Sequence, residues 1–194
     1  MILYLHGFKS SPQSFKARLI GETLSAQGRA GEYLCPQLPA SPAAAVALAL
    51  ALVQDVPASQ LTVIGSSLGG FYATWIAEHL ACRAVLLNPA VQPPRDLEQY
   101  VGISSAYHSD QPFVFKHVYI DELRALTVPA ITRPERYLLI AATGDEVLDW
   151  REMQAHYPGA QHVIIDGSDH GISDFAEYLA TVLAFCDRPS TAAT

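Results

Sequence analysis

The sequence is poor in positive charge. Twelve lysines and arginines stand against nineteen aspartates and glutamates, a formal net charge of -7, and charged residues make up only 16% of the chain. A nucleic-acid partner requires a basic surface, so none is expected. Disorder is excluded on the same composition, because half of the residues are hydrophobic. Cysteine is scarce too: Cys35, Cys82 and Cys186 are odd in number, widely spaced and outside any CxxC or CxxH grouping. That removes a disulfide framework and a clustered metal site, and leaves reduced core thiols of a cytoplasmic protein. Long apolar runs are missing as well. The longest, Pro42 to Val53, is rich in alanine and falls well short of the roughly 20 residues a membrane helix needs, so no membrane insertion is expected. The opening "MILYLHGF" has no basic region and no cleavage site after its short apolar run, which predicts no export.

What is present suits one domain over 1–194 with a sizeable core. Short apolar runs recur at 2–5, 61–65, 84–88, 137–142 and 162–166. They do not alternate polar with apolar, the mark of strands covered on both faces in a parallel sheet. Helical patterns lie between them. One opens at Ser11-Pro12 and closes at Gly28, a second opens at Ser41-Pro42 and stops before Pro57, and a third near the end carries Asp174 and Glu177 at capping-box spacing. Alternating strands and helices with right-handed crossovers give an α/β fold, an open, mostly parallel sheet sandwiched by helices. Its functional groups belong on loops at the carboxyl ends of strands.

One stretch breaks the rhythm. From Asn88 to Arg136 the chain has six prolines and a concentration of Tyr, Phe and His. It reads either as a small cap lining a pocket or as a surface excursion with no contact to a site. Tyr100, Tyr107, Phe113, Phe115 and Tyr119 are its candidate pocket residues, with the forming of the cap's own core as the competing role. Lys116, His108 and His117 could select an anionic leaving group, although isolated basic residues are commonly solvated.

Residues 65–69 read Gly-Ser-Ser-Leu-Gly, a match to G-x-S-x-G. Alone this is weak, but "LTVI" before it is a strand and "LGGFYATWIAEHL" after it a helix. A nucleophile elbow needs that order, since a sharp strand-to-helix turn lifts the serine hydroxyl above the sheet. The spacing selects Ser67 and leaves Ser66 as a small residue that lets the turn fit. A serine needs a base and a carboxylate to orient that base, and in this architecture acid and histidine follow in that order. Asp145, Glu146 and Asp149 all follow the strand "YLLIAA"; Asp145 is nearest its end, whereas Asp149 suits the N-cap of the next helix. Of seven histidines, His170 alone follows Asp145 at a strand's carboxyl end; His162 is at the strand's start and His156 on a helix. The oxyanion donors would be the N–H groups of Leu68, at the start of the helix, and Phe8, in the loop after the first strand. His6 is expected to brace that loop.

The motifs "LYLHGFKSSP", "PQLP", "GSSLGGFYATW", "NPAV" and "TGDEVLD" resemble the YqiA/YcfP family of small bacterial α/β-hydrolase-fold esterases, in order over nearly the whole chain. The resemblance implies a minimal α/β-hydrolase sheet of about six strands, with Ser67 as nucleophile, Asp145 as acid and His170 as base. It also implies esterase activity on short-chain acyl esters without metal or cofactor. The segment around His170 varies from the family pattern, and 100–115 does not match closely. Two other readings use the same residues: a binding or receptor protein that hydrolyses slowly or not at all, and an acyltransferase. Oligomeric state is open.

Overall fold

The uninterrupted apolar runs become strands of one parallel sheet because each presents apolar side chains to both faces. The computed structural model describes residues 1–106 and 109–188, with 103–106 and 109–112 described by backbone alone. In chain order the elements begin β1 (Ile2–Leu5), α1 (Phe15–Ala26), β2 (Tyr33–Leu34), α2 (Pro42–Val53), β3 (Thr62–Ser66), α3 (Leu68–Leu80) and β4 (Arg83–Leu87). They continue with α4 (Pro93–Leu97), β5 (Gly102–Ala106), β6 (Ser109–Phe115), α5 (Val118–Ala125), β7 (Tyr137–Ala142), α6 (Trp150–His156), β8 (Gln161–Ile165) and α7 (Leu179–Cys186). The sheet has six strands in the order β2-β1-β3-β4-β7-β8, every pair parallel.

Strand alternation divides the core between the two faces. Leu3, Leu5, Val63, Leu86 and Leu139 point to one side, where Phe71 and Ile76 of α3, Leu123 of α5 and Met153 of α6 meet them. Ile2, Tyr4, Ile64, Val85 and Ile140 point to the other, against Ile20 and Leu24 of α1 and Val182 and Phe185 of α7. At roughly 1.5–3 kcal/mol for each large apolar side chain fully buried, these two layers hold the strand ends in fixed register. The thiols belong to this packing: Cys82 and Cys186 are buried and Cys35 is half-buried, and burial pushes Cys35 up to about 11 and Cys82 up to about 12.

Two helix starts differ from the sequence expectation. Ser11-Pro12 does not begin a helix, because Ser11 closes a tight turn of its own: its Oγ accepts from Gln13 N–H at 3.1 Å and its carbonyl from Ser14 N–H at 3.1 Å. The helix starts at Phe15. The capping box at Asp174 and Glu177 also fails to form, because the Asp174 carboxylate accepts the Ser168 hydroxyl instead. Residues 175–177 are a tight single turn and α7 begins at Leu179. Ser41 does cap α2, accepting from Ala44 N–H at 3.2 Å. Between Asn88 and Arg136 the chain forms α4, an antiparallel β5–β6 hairpin and α5. Among the described residues no helix is long and apolar enough to cross a membrane.

Candidate active site

Ser67 sits between β3 and α3 at φ 55° and ψ -120°. A non-glycine residue in that region costs of order 1–3 kcal/mol and persists only where its surroundings impose it. Here they do. The Ser67 N–H donates to Leu87 O at 3.0 Å, and its carbonyl accepts from Gly70 N–H at 2.9 Å and Ala90 N–H at 3.0 Å. The flanking glycines are required by close approach: a Cβ on Gly65 would overlap the Gly69 backbone, and one on Gly69 would overlap the Leu5 carbonyl. Ser66 ends β3, is buried, and lies beside the buried Tyr4 hydroxyl.

The remaining two polar partners come from loops after β7 and β8. His170 Nε2 lies 3.1 Å from Ser67 Oγ. Its Nδ1 lies 2.8 and 3.0 Å from the two carboxylate oxygens of Asp145, whose side chain is fully buried. A proton on Nδ1 then donates to Asp145 and leaves Nε2 to accept from the serine hydroxyl. Asp145 Oδ1 also accepts the N–H groups of Val147 and Leu148, both at 2.8 Å, which pin the carboxylate in the turn. The alternative acids have other partners than the His170 ring. Glu146 accepts the His170 main-chain N–H at 3.0 Å, and Asp149 caps α6 through Arg151 N–H at 2.9 Å.

The loop after β1 closes the other side. Gly7 abuts the elbow, where a Cβ would stand 3.2 Å from Ser67 Cβ. The N–H groups of Phe8 and Leu68 have no hydrogen-bond partner among the described residues. His6 holds the loop in place. Its Nε2 accepts from Leu38 N–H at 3.0 Å and its Nδ1 donates to Gly7 O at 3.0 Å. Burial lowers its pKa, which favours the neutral imidazole that this pairing needs.

A cavity of about 750 Å³ opens over these groups, with Ser67, His170, Phe8 and Leu68 in its wall. Of the five aromatic residues singled out in sequence, Tyr100 lines it. Phe113 and Phe115 are not in the wall: both rings pack in T-shaped contact with Phe8, which is in it, at 5.1 Å. Tyr119 is further back, against Phe115 at 5.5 Å. Tyr107 and His108 lie outside the described residues. Lys116 and His117 are exposed and away from the cavity. Three residues that sequence reasoning did not place at the site are present around it. Lys16 of α1 lines the cavity, is buried, and donates its ammonium to Gly171 O. Leu97 of α4 and Leu148 add apolar surface to the cavity wall. The helix face that Lys16 and Leu97 share with the cavity has no local signature, and Leu148, in the turn after β7, is readable in sequence only as part of the loop that carries Asp145.

Solved structures of similar fold cover nearly the whole chain. Alpha/beta hydrolase domain-containing protein 10 from mouse is 16% identical, with a TM-score of 0.72 over 96% of this chain and 89% of that one. Est1E from Butyrivibrio proteoclasticus, solved with ferulic acid bound, is 17% identical, with a TM-score of 0.67 over 95% and 85%. The esterase domain of a Rhodothermus marinus protein is 22% identical, with a TM-score of 0.64 over 95% and 85%. These likenesses establish the α/β-hydrolase fold. At the level of sequence, residues 1–187 match the model of the uncharacterised protein family UPF0227, so the chain belongs to that family, the YqiA/YcfP family that its motifs resemble.

Proposed function

We propose that the protein is a serine carboxylesterase that hydrolyses small acyl esters or thioesters through Ser67, His170 and Asp145. The observation that carries this reading is the unbroken chain of contacts from Ser67 Oγ to His170 Nε2, 3.1 Å, and from His170 Nδ1 to the buried Asp145 carboxylate, 2.8 Å. The esterases among the structures of like fold support it. Ser67 Oγ attacks the acyl carbon while His170 takes its proton; the proton then passes to the leaving alcohol or thiol, and Asp145 holds the imidazole in the productive tautomer. The N–H groups of Phe8 and Leu68, which have no partner among the described residues, stabilise the oxyanion, the latter aided by the N-terminal dipole of α3. Water repeats the cycle on the acyl-enzyme.

The segment 88–136 acts in this reading as a cap, since Ala90, Pro93, Leu97 and Tyr100 contribute to the cavity wall. Its apolar side receives the acyl group. The test is turnover of p-nitrophenyl acetate or butyrate and of a matching thioester. Ser67→Ala should lower kcat by up to about a million-fold, whereas Ser66→Ala should retain most activity. Turnover surviving in Ser67→Ala, or abolished only in Ser66→Ala, would overturn the assignment. Absence of a fluorophosphonate adduct on Ser67 would instead favour a binding protein on this fold, and product formation with added alcohols in place of water an acyltransferase.

A further inference from the structure

The loop that carries His170 is not stable on its own terms. Its backbone enters the left-handed region at Gly167, Ser168 and Ile172, with φ of 78°, 58° and 49°. Two of these are not glycine, so bonds from outside the loop must impose the conformation. The most complete of those bonds come from one side chain, that of Asn88, the first residue beyond β4. It is fully buried and is itself left-handed, at φ 42°. Its Nδ2 donates to Asp169 O at 3.0 Å and to His170 O at 3.1 Å. Its Oδ1 accepts from Ala142 N–H at 2.8 Å, and its main-chain N–H donates to Ile140 O at 2.9 Å. Ala142 is the last residue of β7, three positions before Asp145. One amide therefore joins the strand that delivers the acid to the loop that delivers the base, with both donors committed and no wall of the cavity formed by it.

We propose that Asn88 is a positioning residue that sets the Asp145–His170 pairing and, through it, the approach of His170 Nε2 to Ser67, without touching substrate. The proposal rests on the serine-hydrolase reading for its kinetic consequence, but the pairing itself can be observed separately. The amide is suited to the task because three main-chain groups must be satisfied at once, two acceptors and one donor. A carboxylate in its place offers no donor to the two carbonyls, and burial makes that mismatch costly.

The test uses the full chain with Asn88→Asp, which keeps shape but loses both donors, and Asn88→Ser, which leaves room for water to reach the carbonyls. Ser41→Ala, which removes the α2 cap outside the cavity, controls for general loss of stability. The readouts are kcat and KM on p-nitrophenyl acetate per folded protein, the rate of fluorophosphonate labelling, and the low-field proton resonance of the His170 Nδ1–H held by a carboxylate. Displacing a catalytic group by about 1 Å can cost on the order of 100-fold. The expected result is a 10- to 100-fold fall in kcat and labelling rate with KM within about threefold, and loss or broadening of the resonance, in whichever variant is folded. Lower thermal stability with kcat and the resonance unchanged, as expected for Ser41→Ala, would overturn the proposal. If the wild-type chain shows no esterase activity, the function reading fails, while the resonance still decides whether Asn88 sets the pairing.

Discussion

Lys16→Met should change how stability depends on pH, in a direction that the burial of Lys16 fixes. Lys16 is the second residue of α1, is only 8% exposed, and points its ammonium at Gly171 O beside the His170 loop. Burial lowers its pKa from 10.5 to about 8, and the nearby carboxylates of Asp169 and Asp145 offset only part of that. A depressed lysine pKa means that the unfolded chain holds the proton more tightly than the folded one. Between pH 8 and 10.5 the unfolded state therefore binds more protons, and stability from this group rises with pH. At about 1.4 kcal/mol for each pH unit of displacement, the charged form carries a penalty of about 3 kcal/mol at neutral pH. Most of this is relieved by pH 10. Methionine matches the length of the side chain but has no proton to exchange. Urea unfolding of both chains at pH 7 and pH 10 isolates the effect, since tyrosines and cysteines that also titrate in this range are common to both. The stability difference should move by about 2–3 kcal/mol in favour of the wild type at the higher pH. A difference that does not change with pH, or that moves in favour of Lys16→Met, would refute the burial argument.

Other outcomes separate residues that the sequence places close together. Asp145→Asn should lower kcat by about 10⁴-fold, as expected when the carboxylate orienting a histidine becomes an amide. Asp149→Ala, four residues on, should leave kcat unchanged and cost about 1 kcal/mol, because it removes the α6 cap bond to Arg151 N–H and an exposed ion pair with the Arg151 guanidinium that contributes little. Esterase assays and thermal melts of the two variants check both statements. Gly69→Ala should destabilise by more than about 3 kcal/mol or prevent folding, since its Cβ, fixed to the main chain, meets the Leu5 carbonyl, which is backbone and cannot rotate away. Gly31→Ala should stay within about 1 kcal/mol of the parent, because nothing lies within 4 Å of a Cβ there.

The contrast between two serine-containing helix starts shows where local sequence stops being decisive. Ser41-Pro42 and Ser11-Pro12 carry the same capping signal. At Ser41 the following residues form an uninterrupted helix, and the hydroxyl takes the expected N–H of Ala44. At Ser11 the hydroxyl bonds Gln13 N–H in a turn, and the helix is delayed until Phe15. The delay belongs to the tertiary structure: Lys16 and Ala17 are buried on the α1 face, and the turn before them carries Ser10 and Ser14 to the cavity wall. Asp174 shows the same limit. Its spacing to Glu177 suits a cap, but Ser168, brought alongside by the left-handed turn at 167–168, supplies a donor that the capping rule does not include.

At the site, legibility follows how each residue is placed. Ser67, Asp145 and His170 were readable because each lies on the loop or turn that follows a strand, and a parallel sheet brings the carboxyl ends of β3, β7 and β8 to one edge whatever the loops contain. His6 was readable for the same reason at the end of β1. Chain order and strand position then suffice without any knowledge of side-chain contacts. The aromatic residues of the segment 88–136 had no such anchor. Their identity says that they are apolar, but which of them reaches the cavity depends on tertiary packing: Phe113 and Phe115 are in contact with Phe8, and it is Phe8 that lines the wall. Asn88 is the limiting case. Its position after β4 was as visible as that of Ser67 after β3, yet its side chain bonds residues 54 to 82 positions away, and no spacing rule selects those partners. A strand end therefore marks a residue as near the chemistry; whether it reacts, as proposed for Ser67, or holds others in place, as proposed for Asn88, depends on whether its side chain enters the cavity or is used up by main-chain groups behind it.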